Sequence, residues 1–230
     1  PTYWLTWYEA GRRLLDDPAT PERRALALRC MQRAVETNPR DVDAAARLAR
    51  LAWSLERPVV ARAAQKRVVV LKPEETRPWL DWARAEWDHG DRAAARKVIE
   101  QGTDALSDPP DRAELLRWLA RQESAAGSRS RAIEQYERIR ELGEHTHRDL
   151  RQLAALYRRL RYEKSERATL RELADAGRAG AGDWWRLAEL AMQAGDDTAA
   201  ETALAHAVRA NPALRKKADQ RWADYVLTGE

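Results

Sequence analysis

Phenylalanine is absent from the 230 residues, cysteine occurs once, methionine twice and histidine four times. The single thiol, Cys30, cannot close an internal disulfide and excludes a cysteine-rich metal site. No aliphatic run exceeds the four residues from Val68 to Leu71, far short of the ~20 apolar residues that a membrane-spanning helix needs. Charged residues are 34% of the chain, yet the two signs nearly cancel to a net +4. The hydrophobic share of 44% is too high for a disordered chain. No basic and then apolar leader precedes Trp4-Leu5-Thr6-Trp7, and the chain starts at Pro1, so it reads as a segment of a longer protein.

Catalytic constellations are also missing. His145 and His147 flank Thr146, but a metal would need further ligands and no second His or Cys cluster supplies them. His89 beside Gly90, and His206, read as surface or cap residues. The stretch containing Gly177, Gly180 and Gly182 lacks the Lys-Ser/Thr ending of a phosphate loop and follows no strand; a flexible linker is expected there. Carboxylates stand beside arginines at helical spacing, as surface ion pairs do. Cys30 lies among apolar positions and is expected to be buried and inert. The expectation is no metal, no cofactor and no enzyme.

What the chain does contain is repetition, which decides the fold before any local feature. Residues 183–212 place Trp184, Leu187, Ala188, Ala191, Gly195, Ala200, Leu204, Ala207 and Pro212 at spacings of 3, 1, 3, 4, 5, 4, 3 and 5. Pro39 and Pro73 are 34 residues apart, with Leu48, Ala49, Ala52, Ala61 and Val68 between them. Trp79, Trp82, Ala83, Gly90, Ala95 and Ile99 repeat the order, as do Leu116, Leu119, Ala120, Gly127, Ala132, Tyr136 and Ile139. Leu150, Leu153, Ala154, Tyr157 and Ala168 follow it with about two extra residues in the turn. At the start, Trp4 and Trp7 lead to Ala27, Met31, Ala34 and Pro39, with a turn around Asp16 to Pro21 about seven residues too long. The apolar residues recur at i, i+3, i+4 and i+7, the period of an amphipathic helix. Glycine fits the end of each first helix, and proline stops the second.

This pattern resembles the tetratricopeptide repeat. The resemblance implies an all-α, right-handed α-solenoid, a superhelix of stacked helix pairs spanning 1–40, 41–75, 76–111, 112–146, 147–180 and 181–212, with a capping helix over 213–230. On that last helix Leu214, Ala218, Trp222, Tyr225 and Val226 share a face. The third pair, through Trp79, Trp82, Glu86, Arg96 and Glu100, also resembles the half-a-tetratricopeptide variant of RNA-processing scaffolds.

In the family the first helix of each pair lines a concave groove. Carried onto this chain, the groove positions hold Arg50, Trp53, Arg84, Trp87, Arg117, Arg121, Arg151, Arg158 and Trp185, with Arg77, Arg148 and Arg159 beside them. The Lys and Asn clamp with which the family's best-known groove holds a free carboxylate is absent. Trp79, Trp82 and Trp184 fit buried positions instead. Arginine is 35 of the 41 basic residues, and its excess is regional. Residues 117–171 hold 14 basic and 8 acidic residues, whereas residues 172–230 hold 7 and 10. Arginine offers a planar fork to carboxylates and tryptophan a broad apolar anchor. The resemblance therefore implies a non-enzymatic scaffold for a protein or peptide partner with an acidic surface. The same arginine excess also follows from a GC-rich coding sequence and solvated helix faces. In architecture and composition the chain is also similar to the periplasmic repeat region of bacterial exopolysaccharide export proteins. That reading implies a periplasmic or cell-envelope location and a polysaccharide-modifying enzyme or glycan as partner. The nearly equal acidic count speaks against nucleic acid.

Overall fold

The chain is seen as a computed structural model that describes residues 3–16 and 20–228. Among these residues the fold is all α, with no strand. The helices are α1 Tyr3–Arg13, α2 Pro21–Thr37, α3 Val42–Ser54, α4 Pro58–Leu71, α5 Thr76–Asp88, α6 Arg92–Ala105, α7 Pro109–Ala125, α8 Arg129–Glu141, α9 His147–Leu160, α10 Glu163–Asp175, α11 Ala181–Gln193, α12 Asp197–Ala210 and α13 Arg215–Thr228. A single 3-10 turn, Pro212–Leu214, precedes α13. α7 begins at Pro109, inside the stretch the repeat frame gives to the third pair. Part of the expected long first turn, residues 17–19, lies outside the described residues.

Several helices of both kinds start where the sequence supplies an acceptor. Asp41, Asp91 and Asp196 take the backbone N–H of Ala44, Ala94 and Ala199 at 2.8, 2.9 and 3.1 Å, the middle and last of these opening α6 and α12 and the first opening α3. Each such cap satisfies one otherwise unpaired N–H. Thr146 and Asp149 cap α9 reciprocally, a capping box. Pro21 and Pro58 occupy first helical positions, where a missing N–H costs nothing.

The turns inside five pairs share one geometry. The N–H of Arg57, Asp91, Ser128, Tyr162 and Asp196 reaches back to the carbonyl of Ala52, Glu86, Glu123, Tyr157 and Ala191 at 2.8–2.9 Å. The preceding residue is left-handed in every case: Glu56, Gly90, Gly127, Arg161 and Gly195, with φ of 55, 87, 80, 60 and 67°. This is the Schellman closure of a helix. It also corrects the fifth pair. Its turn holds no extra residues, and Ala168 is exposed. The position that Ala61, Ala95, Ala132 and Ala200 fill elsewhere, all fully buried, belongs to Glu166, which is 1% exposed.

The chain forms two compact units, Pro1–Trp118 and Leu119–Glu230, each with its own core. In unit one Ala27, Met31, Ala44, Leu48, Ala49, Ala64 and Val68 pack together from α2, α3 and α4. Alanine at these sites lets helix axes approach closely. α6 comes nearer still at Gly102, where a Cβ would lie 2.7 Å from Leu115 Cδ1. In unit two Leu150, Leu173, Leu187, Ala188, Leu204 and Tyr225 form one cluster. α13 joins it through Ala218 and Tyr225, and the Tyr225 hydroxyl donates to Asp197 at 2.6 Å. Val226, expected on the same face, is 63% exposed. Stacked pairs bury one another's faces in this way, which no pair achieves alone.

Candidate functional site

The first helices of consecutive pairs leave open hollows, and several of the expected groove residues meet there. In unit one, Arg50 and Trp53 of α3 and Arg84 of α5 line a groove of about 540 Å³ together with Val42, Asp81 and Asp88. Its charges are largely matched. Arg77 and Arg84 approach Asp81 at 3.4 and 3.8 Å, and Lys72 approaches Glu75 at 2.6 Å. Arg50 has no ion pair or hydrogen bond through its side chain among the described residues.

Trp53 is not the open platform expected of it. Its ring is only 6% exposed, lies 4.4 Å centroid to centroid from His89, and has the Arg62 guanidinium 5.9 Å away. His89 is fixed in turn, its Nδ1 2.7 Å from the Ala85 carbonyl. The tandem therefore forms a wall of the groove. Behind it, the Glu86 carboxylate is buried and takes Arg62 Nε and Nη2 at 2.8 and 2.7 Å and Trp82 Nε1 at 3.0 Å. Trp87 does not line this groove. It packs edge-on against Trp118, centroids 6.1 Å apart, with Arg92 5.2 Å over its ring. Arg117, also in unit one, is half-buried on α7.

Unit two is more one-sided. Arg151 and Arg158 of α9 line a groove of about 710 Å³ with Ala154, Ala155, Arg159 and, from α11, Asp183 and Arg186. A smaller hollow of about 270 Å³ next to it holds Arg121 of α7 and Arg148 of α9. Two of these arginines are committed. Arg151 donates to Asp183 Oδ2 at 3.1 Å and to the Arg178 carbonyl at 2.6 Å. Arg186 grips Glu166 at 2.7 and 2.9 Å and Glu189 at 3.0 Å. The bond to Glu166 holds its guanidinium well above the ordinary arginine range. The other four, Arg121, Arg148, Arg158 and Arg159, make no ion pair or side-chain hydrogen bond among the described residues. Trp185 is half-buried on α11. It donates to Glu189 at 3.0 Å and carries the Lys217 ammonium 4.7 Å over its ring.

The repeat frame therefore brings Arg50, Trp53 and Arg84 to one groove, and Arg151 and Arg158 to another. Arg186 and Asp183 were not foreseen; their signal is the spacing Asp183, Arg186, Glu189 at the start of α11. The expected flexible linker before α11 is short and tied down. Gly182 is already helical, the Gly180 N–H donates to Asp183 at 2.9 Å, and Arg151 holds the Arg178 carbonyl.

The tetratricopeptide repeat pattern matches residues 22–76 and 80–145, more than half of the chain. No curated protein matches. Among solved structures, the chain is similar to one of Naa15/Naa10 bound to HypK-THB, with 15% identity, a TM-score of 0.57, and 92% of this chain and 32% of that chain covered. It is also similar to YrrB, a tetratricopeptide repeat protein with an unusual peptide-binding site, with 15% identity, a TM-score of 0.47, and 79% and 92% covered. A third is Pseudomonas aeruginosa PilF, with 17% identity, a TM-score of 0.44, and 91% and 92% covered. At such identities the likeness concerns the fold alone.

Proposed function

Because the chain belongs to the tetratricopeptide repeat family, we propose that it is a non-enzymatic scaffold holding a protein partner against the first-helix faces of its pairs. The family supplies the coarse reading, since its members bind peptide or protein partners. The observation that carries the finer one is that Arg50, Trp53 and Arg84 from two first helices line one groove, and Arg151 and Arg158 from a third first helix line another. Open concave surfaces with a few oriented polar groups are where ligands bind. The arginines lining the hollows of unit two support a partner with acidic surface, met mainly there, since the groove of unit one pairs its own charges.

The test is a pull-down from soluble and envelope extracts. The baits are the chain and an Arg50→Ala/Arg84→Ala/Arg158→Ala variant, matched for helicity by circular dichroism. A partner captured by the first bait and lost from the second is the expected result, and the extract it comes from reports the compartment. Identical capture by both baits would overturn the groove assignment.

A further inference from the structure

We propose that the arginine face of unit two receives an extended, acidic peptide segment about five residues long, with acidic side chains at its two ends. This rests on the scaffold reading above and names the ligand for one of its two grooves.

Arg148, Arg151, Ala155, Arg158 and Arg159 share one face of α9, because steps of three and four residues keep to one side of a helix. Arg148 and Arg158 are ten residues apart on α9, which at ~1.5 Å per residue separates them by about 15 Å along the axis. An extended chain covers that distance in four to five residues at ~3.3 Å each. Between the two ends the wall is low. Ala154 and Ala155 line the groove there, so a peptide backbone can lie close to the helix.

The ends of this track carry the cations that have no ion pair or side-chain hydrogen bond among the described residues. Arg158 and Arg159 stand at one end and Arg148 at the other, with Arg121 of α7 sharing its hollow. The middle is fixed by internal carboxylates: Asp183 holds Arg151, and Glu166 holds Arg186. An incoming carboxylate therefore meets free guanidinium groups at the ends and a neutralised stretch in between. Forked, charge-assisted hydrogen bonds from arginine to carboxylate are the strong ones.

The lining also decides against other polyanions. No tryptophan lines either hollow, and Tyr136 is the one ring in them. Single-stranded nucleic acid needs successive stacking platforms, and this track offers none. Trp185, expected as an apolar anchor of the groove, has Lys217 over its ring.

The experiment uses the full chain and a rhodamine-labelled nonapeptide with two glutamates four residues apart in a serine–alanine background. Its diglutamine counterpart is the control, and binding is read by fluorescence anisotropy in low salt. The expected result is saturable binding of the acidic peptide. It should weaken at least about tenfold with the diglutamine peptide and with Arg158→Ala/Arg159→Ala, and be unchanged in Arg24→Ala/Arg29→Ala, two exposed positions of α2 outside both grooves. These arginines are exposed, and circular dichroism verifies the fold. Equal binding of both peptides, no binding at about 1 mM, an unaffected Arg158→Ala/Arg159→Ala variant, or tighter binding of an oligouridylate would each overturn the proposal. If the peptide fails while a pull-down partner still depends on the groove arginines, the scaffold reading stands without its acidic segment. If partner capture depends on none of them, both fall.

Discussion

Glu166 stands where four other pairs bury an alanine, and its carboxylate is gripped by Arg186 of the following pair at 2.7 and 2.9 Å. A charge at the most closely packed position of the repeat is tolerated because both of its oxygens are bonded. Removing one partner of such a pair strands the other in a low-dielectric setting, which costs about 3–5 kcal/mol.

The first prediction follows from that asymmetry. Glu166→Ala restores the alanine of the other pairs yet leaves Arg186 facing only Glu189, so it should destabilise unit two by about 3 kcal/mol, the low end of the range. Adding Arg186→Leu should return most of that loss. Urea denaturation followed by circular dichroism measures both. Additive losses in the double variant would mean that the two residues are not coupled.

The second prediction concerns the left-handed residues that close the first helices. Glu56 and Arg161 adopt the same positive φ as Gly90, Gly127 and Gly195, and an L side chain there costs roughly 1–2 kcal/mol. Glycine has its own entropic cost in the unfolded chain, about 0.5–1 kcal/mol. Arg161→Gly should therefore raise stability by up to about 1 kcal/mol, because Arg161 is exposed and no ion pair is lost. Gly90→Ala should lower it by a similar amount, although a Cβ there would meet nothing within 4 Å. Midpoints of thermal unfolding decide; a stabilised Gly90→Ala would show that φ is not what selects glycine.

These two cases show where the sequence was readable and where it was not. The all-α repeat was legible because periodic Leu and Ala positions, with Gly90, Gly127 and Gly195 after the first helices, are local signals. The fifth pair was misread because two of its positions break the residue pattern without breaking the backbone. Arg161 replaces the turn glycine and Glu166 replaces the core alanine, so matching small residues slid the frame to Ala168. Only Arg186, 20 residues downstream, makes Glu166 acceptable, and no local rule shows that. The grooves were legible as positions but not as surfaces. Arg50 and Arg158 are exposed, whereas Trp53 is closed by His89, a residue read as a mere cap beside Gly90. Which arginines are free depends on partners such as Asp183, 32 residues from Arg151, and sequence spacing along one helix carries no trace of them.

The third prediction is an alkaline limit to the stability of unit two. The Tyr157 hydroxyl donates to Glu137 on α8, with Arg140 3.6 Å from the same carboxylate. Burial first, and the bond to Glu137 second, push the phenol well above its ordinary value of about 10. The fold thus favours the protonated phenol. Its contribution is complete below the unfolded value, and it is lost as the pH rises from there toward the native one. The loss of stability above about pH 10 should accordingly be steeper in the wild-type chain than in Tyr157→Phe. At neutral pH the variant should be weaker by about 1.5 kcal/mol, the size of a hydrogen bond to a charged group. Denaturation midpoints from pH 7 to 11 provide the comparison. Absorbance at 295 nm should show one tyrosine fewer ionising in the native wild-type chain than in the unfolded one, over and above Tyr225, whose bond to Asp197 raises it in the same direction. Parallel pH profiles for wild type and Tyr157→Phe would mean that Glu137 and Tyr157 do not share a proton-bearing bond in solution.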